Sequence, residues 1–219
     1  PQECHSPALI LASVAFAWQI YLDFSGYTDM ARGVGRLLGI HIMLNFNNPY
    51  LATGLGDFWR RWHISLSTWF RDYVYIPLGG SRKGELRTYL NMAVVMLVSG
   101  LWHGAEWTFV IWGAIHALGY GITRQLERSP FYEERLPRMV KQLLTFSVVT
   151  LAWVFFRADS FSHACLIISR MFKGGSADPR LPLLMGALVL AVWLYHLAYE
   201  SKMRPLLAST PIRVGLVLS

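Results

Sequence analysis

Apolar residues are grouped along this chain in long blocks that short polar connectors separate. The longest block, residues 89–122, has no Lys, Arg or Asp but contains two histidines and a glutamate. Because about 20 helical residues cross the hydrocarbon core of a bilayer, a block of this length predicts two helical arms. Gly100 and Gly104 mark the predicted joint, since glycine weakens a helix and lets another backbone approach closely. His103 lies inside this joint.

Other blocks predict more helices of the same kind. Residues 7–24, 143–156 and 181–199 are apolar runs typical of membrane helices. Residues 161–172 have the spacing of a short amphipathic helix, and residues 124–141 are predicted to form a hydrophilic loop. The pattern predicts an all-α, polytopic transmembrane protein with interfacial or re-entrant helices, and a single membrane-embedded domain over 1–219.

One segment, residues 56–73, has helical spacing but too many charges to span a bilayer comfortably. Asp57 is predicted to cap its N-terminus. Its arginines lie away from one broad aromatic face, so we expect a helix in the interface or beside the core. That face consists of Trp59, Trp62, His63, Leu66, Trp69, Phe70 and Tyr73.

Composition supports the membrane assignment. Hydrophobic residues make up 54% of the chain and charged residues 15%, against about 25% in an average soluble domain. The net charge of +7 comes from 20 Lys and Arg that lie mainly between apolar blocks, where they favour topology and headgroup roles over nucleic-acid binding. Cys4 and Cys165 form no CxxC pair and are interpreted as small apolar fillers.

His103 is the first candidate for chemistry, because ionisable residues within membrane segments usually face a cavity or a partner. A neutral imidazole, with an ordinary pKa of about 6.5, takes a proton from a hydroxyl as a general base. The alternative is a buried histidine that only bonds a carbonyl. No Gly-x-Ser-x-Gly or dinucleotide-binding motif offers a different chemistry.

The other polar candidates are His63, Glu106, His116 and Asp29, and several of them allow more than one interpretation. His63 could orient a substrate, donate to an oxyanion, or only extend to headgroups. Glu106 follows His103 closely enough to suggest a metal ligand, but no HExxH motif is present and we expect no metal. His116 is expected to pack away from His103. Asp29 either forms a polar cluster with a second carboxylate, Asp23, or pairs with an arginine one turn later.

Three blocks of this chain resemble signature sequences of the membrane-bound O-acyltransferase (MBOAT) family. The similarity is strongest to the bacterial branch of alginate O-acetyltransferases and their D-alanyl-transferring relatives. The blocks are residues 21–29 (YLDFSGYTD), residues 58–80, which begin FWRRWHISLS, and residues 101–113, which begin LWHG. Together they cover about residues 21–119. Glu106 departs from the family pattern, where a small or hydroxyl residue is expected.

The resemblance implies a site and a donor. It makes His103 the catalytic histidine and His63 the second histidine of the same tunnel, with Trp62, Trp102, Arg71 and Asp72 as wall residues. It implies acetyl transfer from a cytoplasmic thioester, acetyl-CoA or a carrier-protein thioester, with no bound cofactor and no metal.

The resemblance also implies a cellular setting. Expected partners are the acyl donor, membrane lipid, a polysaccharide such as alginate and a periplasmic acetyltransferase, with no nucleic acid. The expected location is the bacterial inner membrane. Family members are longer, so this chain is expected to be a C-terminal part that lacks N-terminal helices. Two rivals stay open: a transporter or channel lined by histidines, and a non-catalytic scaffold for a periplasmic acetyltransferase.

Overall fold

The structure, a computed structural model, describes residues 6–173 and 182–201. These residues form α-helices joined by short 3-10 and π turns, with no β-strand among them. The all-α prediction is confirmed. The helices are α1 (Ser6–Leu37), α2 (Leu55–Arg61), α3 (Ile64–Phe70), α4 (Glu85–His103), α5 (Trp107–Leu126), α6 (Arg138–Arg157), α7 (Phe161–Lys173) and α8 (Leu183–Glu200).

The chain divides into two compact units, residues 1–180 and residues 181–219. In the first unit α4 and α5 form the most extensive helix pair, and α5 also packs on α6. The short helix α2 lies against α5, while α1 packs on α6 and α7. The second unit contains α8, which begins and ends within two residues of the predicted apolar block.

Helix α1 is longer than the sequence suggested. The apolar run was expected to end near Phe24, but the helix continues to Leu37 and has 32 residues in all. Two hydroxyls within it are satisfied by the helix itself: Ser25 donates to the carbonyl of Leu22, and Thr28 donates to that of Ser25. These local bonds keep polar residues compatible with helix where we expected a boundary.

The carboxylate of Asp29 pairs with Arg32 at 2.9 Å. This is the simpler of the two readings offered for that carboxylate, and it is confirmed. The aspartate is exposed, so the pair contributes little to stability.

The predicted aromatic helix 56–73 is broken. Helix α2 ends at Arg61 and α3 begins at Ile64, because His63 adopts a left-handed backbone (φ 44°, ψ 54°). The break separates the predicted face: Trp62 is buried on one side, whereas Trp69 and Tyr73 are exposed on the other. The prediction of one continuous aromatic face is therefore wrong.

Asp57 does not cap α2. The N-cap is Gly54, whose residue type offers no side-chain acceptor, and Asp57 lies in the first turn. Its carboxylate accepts hydrogen bonds from the Thr53 backbone N–H at 3.3 Å and from Arg61 Nε at 3.0 Å. The prediction that Asp57 accepts hydrogen bonds at the N-terminus of the helix is confirmed, but the cap itself lies three residues earlier.

The two arms predicted in residues 89–122 are α4 and α5. Two glycines let these helices come into backbone contact: a Cβ on Gly100 would strike the carbonyl oxygen of Phe109, and one on Gly113 would strike that of Met96. At the joint itself, Gly104 leaves room for the Phe109 ring. Gly100 thus serves helix packing rather than the joint.

Aromatic rings from α1, α2, α6 and the 3-10 turn Pro49–Leu51 form the core of the first unit. Trp62 contacts Phe58 as a stacked ring at 5.6 Å and Trp153 at 5.1 Å. Tyr50 is held by its hydroxyl, which donates to the carbonyl of Ala17 at 2.6 Å. This core fixes the end of α2 and therefore the position from which His63 projects.

Three helices of the described residues are long and apolar enough to cross a membrane: α1, α6 and α8. Helices α4 and α5 are not among them, although their sequence block was expected to be apolar enough for lipid. Helix α4 carries Asn91 and Ser99, and both are buried against protein. Asn91 donates to the carbonyl of Gly80 at 2.9 Å, so its buried side-chain amide is hydrogen-bonded within the protein.

Candidate active site

His103 is the last residue of α4 and is half-buried. Its imidazole is surrounded by aromatic rings rather than by hydrogen-bonding groups. The ring centroid lies 4.9 Å from Phe156 and 5.3 Å from Trp112, both edge-on, and 4.9 Å from Trp102. Phe109 stacks beside it at 6.3 Å.

No hydrogen bond joins the His103 side chain to another of the described residues. The reading of His103 as a histidine that only bonds a carbonyl therefore has no support in residues 6–173 and 182–201. Both ring nitrogens are therefore available to a reactant, and the surrounding aromatic rings hold the imidazole by packing. An imidazole of this kind can accept a proton from a reactant without first breaking a bond to the protein.

His63 is held in the opposite manner, by polar groups. Its Nδ1 lies 3.3 Å from Asn45 Oδ1. The same oxygen accepts hydrogen bonds from the backbone N–H of Ser65 at 3.1 Å and from its hydroxyl at 3.0 Å. A backbone N–H can only donate, so the Asn45 atom is its oxygen, and its contact with Nδ1 of His63 is a hydrogen bond in the tautomer that carries the proton on Nδ1. The Ser65 hydroxyl lies 3.4 Å from the same nitrogen.

This arrangement leaves Nε2 of His63 as an acceptor. His63 lies outside the three candidate spans, and burial, followed by the charge of nearby His103, lowers its pKa to about 4. In the tautomer with the proton on Nδ1, Nε2 accepts rather than donates, and the three roles considered for His63 from the sequence stay predictions. This lowering by His103 means that the two imidazoles interact electrostatically.

The backbone at His63 is itself unusual. Its positive φ of 44° is uncommon for a residue with a Cβ, and such residues cost about 1–3 kcal/mol unless the surroundings hold them. Here the ring packs edge-on against Phe24 at 4.8 Å, and the next residue, Ile64, donates its N–H to the Asn45 carbonyl at 2.9 Å. Strain held in place this way is typical of functional positions.

The predicted wall residues are distributed over different surroundings. Trp102 is 60% exposed beside His103, whereas Trp62 is buried in the aromatic core. Arg71 and Asp72 are exposed and form a two-point ion pair at 2.7 and 3.2 Å. Hydrogen bonding from Arg71 lowers the pKa of Asp72. That these four residues line one tunnel stays a prediction.

A cavity of about 300 Å³ lies between α2, α3 and α4. Arg71 contributes to its lining together with Arg60 and several hydroxyl groups, and Trp59 lies on the α2 side. On the α4 side the lining includes Ser99, which lies one helical turn before His103. This cavity therefore approaches the face of α4 on which His103 lies.

Glu106 is separated from His103 by the joint and is exposed before the first turn of α5. Among the described residues no group of three or more His, Cys, Asp or Glu side chains is placed to hold a metal ion. His116 is fully buried on α5, but it is not as remote as expected, because it contacts Trp112, the same ring that His103 contacts.

Two residues of the site were missed by sequence reasoning. Asn45 lies outside the segments singled out from the sequence, although its side chain contacts His63. Phe156 comes from α6, outside the three signature blocks, and no spacing in the sequence connects it with His103. An asparagine close ahead of a histidine-bearing segment is the one signal that could have pointed to the first.

These features define a helical membrane protein with two neighbouring histidines, one at a helix end and one at a strained break. The family model of the membrane-bound O-acyltransferases matches residues 7–162, so the chain belongs to that family. The match extends beyond residues 21–119, the part that the signature blocks covered.

Curated relatives of this chain support the same family. The protein named "Probable alginate O-acetylase AlgI" from Pseudomonas putida is 47% identical over 165 residues, which are 75% of this chain and 34% of the relative. The "Peptidoglycan O-acetyltransferase" of Helicobacter pylori is 44% identical over 162 residues, 74% of this chain and 31% of the relative. A "Teichoic acid D-alanyltransferase" of Bacillus subtilis is 29% identical over 70% of this chain and 42% of the relative. The chain thus spans about a third of the length of its more similar curated relatives.

Proposed function

We propose that this protein is an O-acyltransferase that moves an acetyl group from a thioester to a hydroxyl, with His103 as general base. The observation that carries the proposal is the His103 imidazole, which lies at a helix end among aromatic rings without a hydrogen bond to the described residues. Family membership and the names of the relatives support the class of reaction.

The proposed reaction balances without a cofactor. The acceptor hydroxyl gives its proton to His103 while its oxygen attacks the thioester carbonyl carbon. The C–O bond forms, the C–S bond breaks, and the thiolate leaves with the proton returned by the imidazolium. The reacting hydroxyl gives its one proton to His103, so His63 orients the substrate through a second group: with Nδ1 protonated toward Asn45, its Nε2 accepts a hydrogen bond from another donor of the acceptor molecule, such as a neighbouring hydroxyl.

The finer parts of the proposal follow from the resemblance to the relatives. The donor is acetyl-CoA or a carrier-protein thioester on the cytoplasmic side. The acceptor is a polysaccharide such as alginate, or a periplasmic acetyltransferase that completes the delivery. The protein then lies in the bacterial inner membrane, where a site between the two faces lets the donor and the acceptor stay in separate compartments.

The test compares ester content of the extracellular polysaccharide in cells that carry the wild-type protein or His103→Ala at matched membrane levels. We expect at least a hundredfold loss of esters with the variant, because removal of a general base costs about 10²–10⁴-fold. His163→Ala is the matched control, since His163 lies on α7 and its Nδ1 is 3.5 Å from the carboxylate of exposed Asp159. Equal ester content in both variants would favour a scaffold, and solute transport without ester formation would favour a transporter.

A further inference from the structure

Three side chains beside the candidate site carry buried nitrogens without a hydrogen-bond partner among the described residues. They are the indole Nε1 of Trp59, the indole Nε1 of Trp112, and both ring nitrogens of His116. His116 is 0% exposed. Buried polar atoms of folded proteins are nearly always paired, and each exception calls for a physical reason.

The three rings belong to one cluster between α2 and α5. The His116 ring lies 4.8 Å from Trp112 and 5.0 Å from Trp59, edge-on to both. Trp59 and Trp112 are 5.8 Å apart. Phe58 stacks on the open face of His116 at 6.0 Å, so apolar groups close that side.

Donors outnumber acceptors in this cluster. Each indole has one N–H donor, and a neutral imidazole has one donor and one acceptor. Together the three side chains present three donors and one acceptor. One oxygen atom has two lone pairs, so it would pair with two of these donors, either the two indole N–H groups or one indole N–H and the imidazole N–H. A cation or a purely donating group would leave most of these nitrogens unpaired.

We propose that Trp59, Trp112 and His116 form a buried binding site for a hydrogen-bond-accepting oxygen. Two sources have this chemistry: a water molecule, and the carbonyl oxygen of an acyl thioester. Trp59 also lines the 300 Å³ cavity beside α4, which gives the site a neighbouring entrance. The thioester source rests on the proposed function, whereas the water source does not.

His116→Phe is the most informative variant, because phenylalanine keeps the stacked ring and removes both nitrogens. If the nitrogens were truly unpaired, removing them would leave Tm unchanged or raise it. If they bind an oxygen, the variant loses those bonds. We expect the protein in detergent to lose about 3–8 °C of Tm for a bound water.

A second pair of variants guards against a general folding defect. Trp59→Phe removes one donor of the site, and Trp69→Phe makes the same change at a half-exposed indole outside it. Only the first of these two should behave like His116→Phe. Acetyl-CoA is the probe for the thioester source, with its binding measured for all four proteins.

The outcomes separate the sources. Lower Tm without acetyl-CoA, at unchanged acetyl-CoA affinity, assigns the oxygen to water. If Tm is unchanged but acetyl-CoA binding is weakened about tenfold or more, the oxygen belongs to the thioester. If His116→Phe and Trp59→Phe match Trp69→Phe in both measurements, the proposed site is wrong. Failure of the wild type to bind acetyl-CoA would count against the proposed donor alone, because the Tm comparison still decides the site.

Discussion

His63 and His103 are both half-buried, but the chain holds them by opposite means. His63 projects from a strained break, and its Nδ1 is held by a polar contact with the side chain of Asn45. His103 ends a regular helix and is held by aromatic packing alone among the described contacts. The difference teaches that one ring is oriented in advance, whereas the other keeps both nitrogens available for a reactant.

The largest effect is expected from His103→Phe, which preserves the packing of a flat ring and removes both nitrogens. We expect ester formation to fall about 10²–10⁴-fold, because a general base is lost, while Tm stays close to wild type. Turnover and Tm of the purified protein measure the two effects separately. A large drop in Tm would instead make His103 a structural residue. That result would contradict the difference drawn here between His103 and His63.

The next effect concerns the helix pair that carries His103. Gly100→Ala should lower stability by about 1–3 kcal/mol, because the new Cβ meets the Phe109 carbonyl and the helices must separate. Gly33→Ala is the matched control: nothing lies within 4 Å of its Cβ position on α1, so alanine should stabilise that helix by about 0.5–1 kcal/mol. Denaturant or thermal unfolding of both variants checks the opposite signs.

A smaller effect is expected where His63 is held. Asn45→Ala removes the oxygen that contacts His63 Nδ1, so the ring is no longer held in one orientation, and we expect turnover to fall about tenfold, which corresponds to the loss of about one hydrogen bond. Asn45→Asp keeps an acceptor and should restore part of the rate. Its carboxylate would raise the pKa of His63, so the acid limb of the pH–rate profile should move to higher pH. An unshifted profile would mean that His63 takes no part in the rate.

The smallest effect is expected at the exposed pair of Arg71 and Asp72. Hydrogen bonding from the arginine lowers the pKa of Asp72, but both groups are open to solvent. Asp72→Asn should therefore leave Tm unchanged within error, since exposed pairs contribute little. A reduced rate at unchanged Tm would give this pair the wall role that the family resemblance implies.

Much of the fold could be predicted from the sequence because the relevant signals are local. The helical arms 89–122 became α4 and α5, and the amphipathic helix 161–172 became α7 with nearly the same ends. The break at His63 could not be predicted, because residues 57–73 contain no glycine or proline, and only tertiary contacts with Asn45 and Phe24 stabilise the positive φ.

The site was predicted in part, for the same reason. His103 is visible because a histidine among apolar residues at a glycine joint stands out locally. Its environment is not visible, since Trp112 and Phe156 come from α5 and α6 and meet only in the folded chain. The paired Nδ1 of His63 and the unpaired nitrogens of His116 look alike in a sequence, because hydrogen bonding depends on which groups the fold brings close.

The position of His103 as the final residue of α4 has an electrostatic consequence. The aligned peptide dipoles of a helix give its C-terminal end a partial negative charge. In the proposed reaction His103 becomes a cation when it takes the acceptor proton, and that cation forms at the negative end of a helix of 19 residues. The dipole would stabilise it by about 0.3–1 kcal/mol, and up to about 2 kcal/mol in a partly buried setting. Helix α4 would then favour the charge that develops during proton transfer without supplying any further side chain.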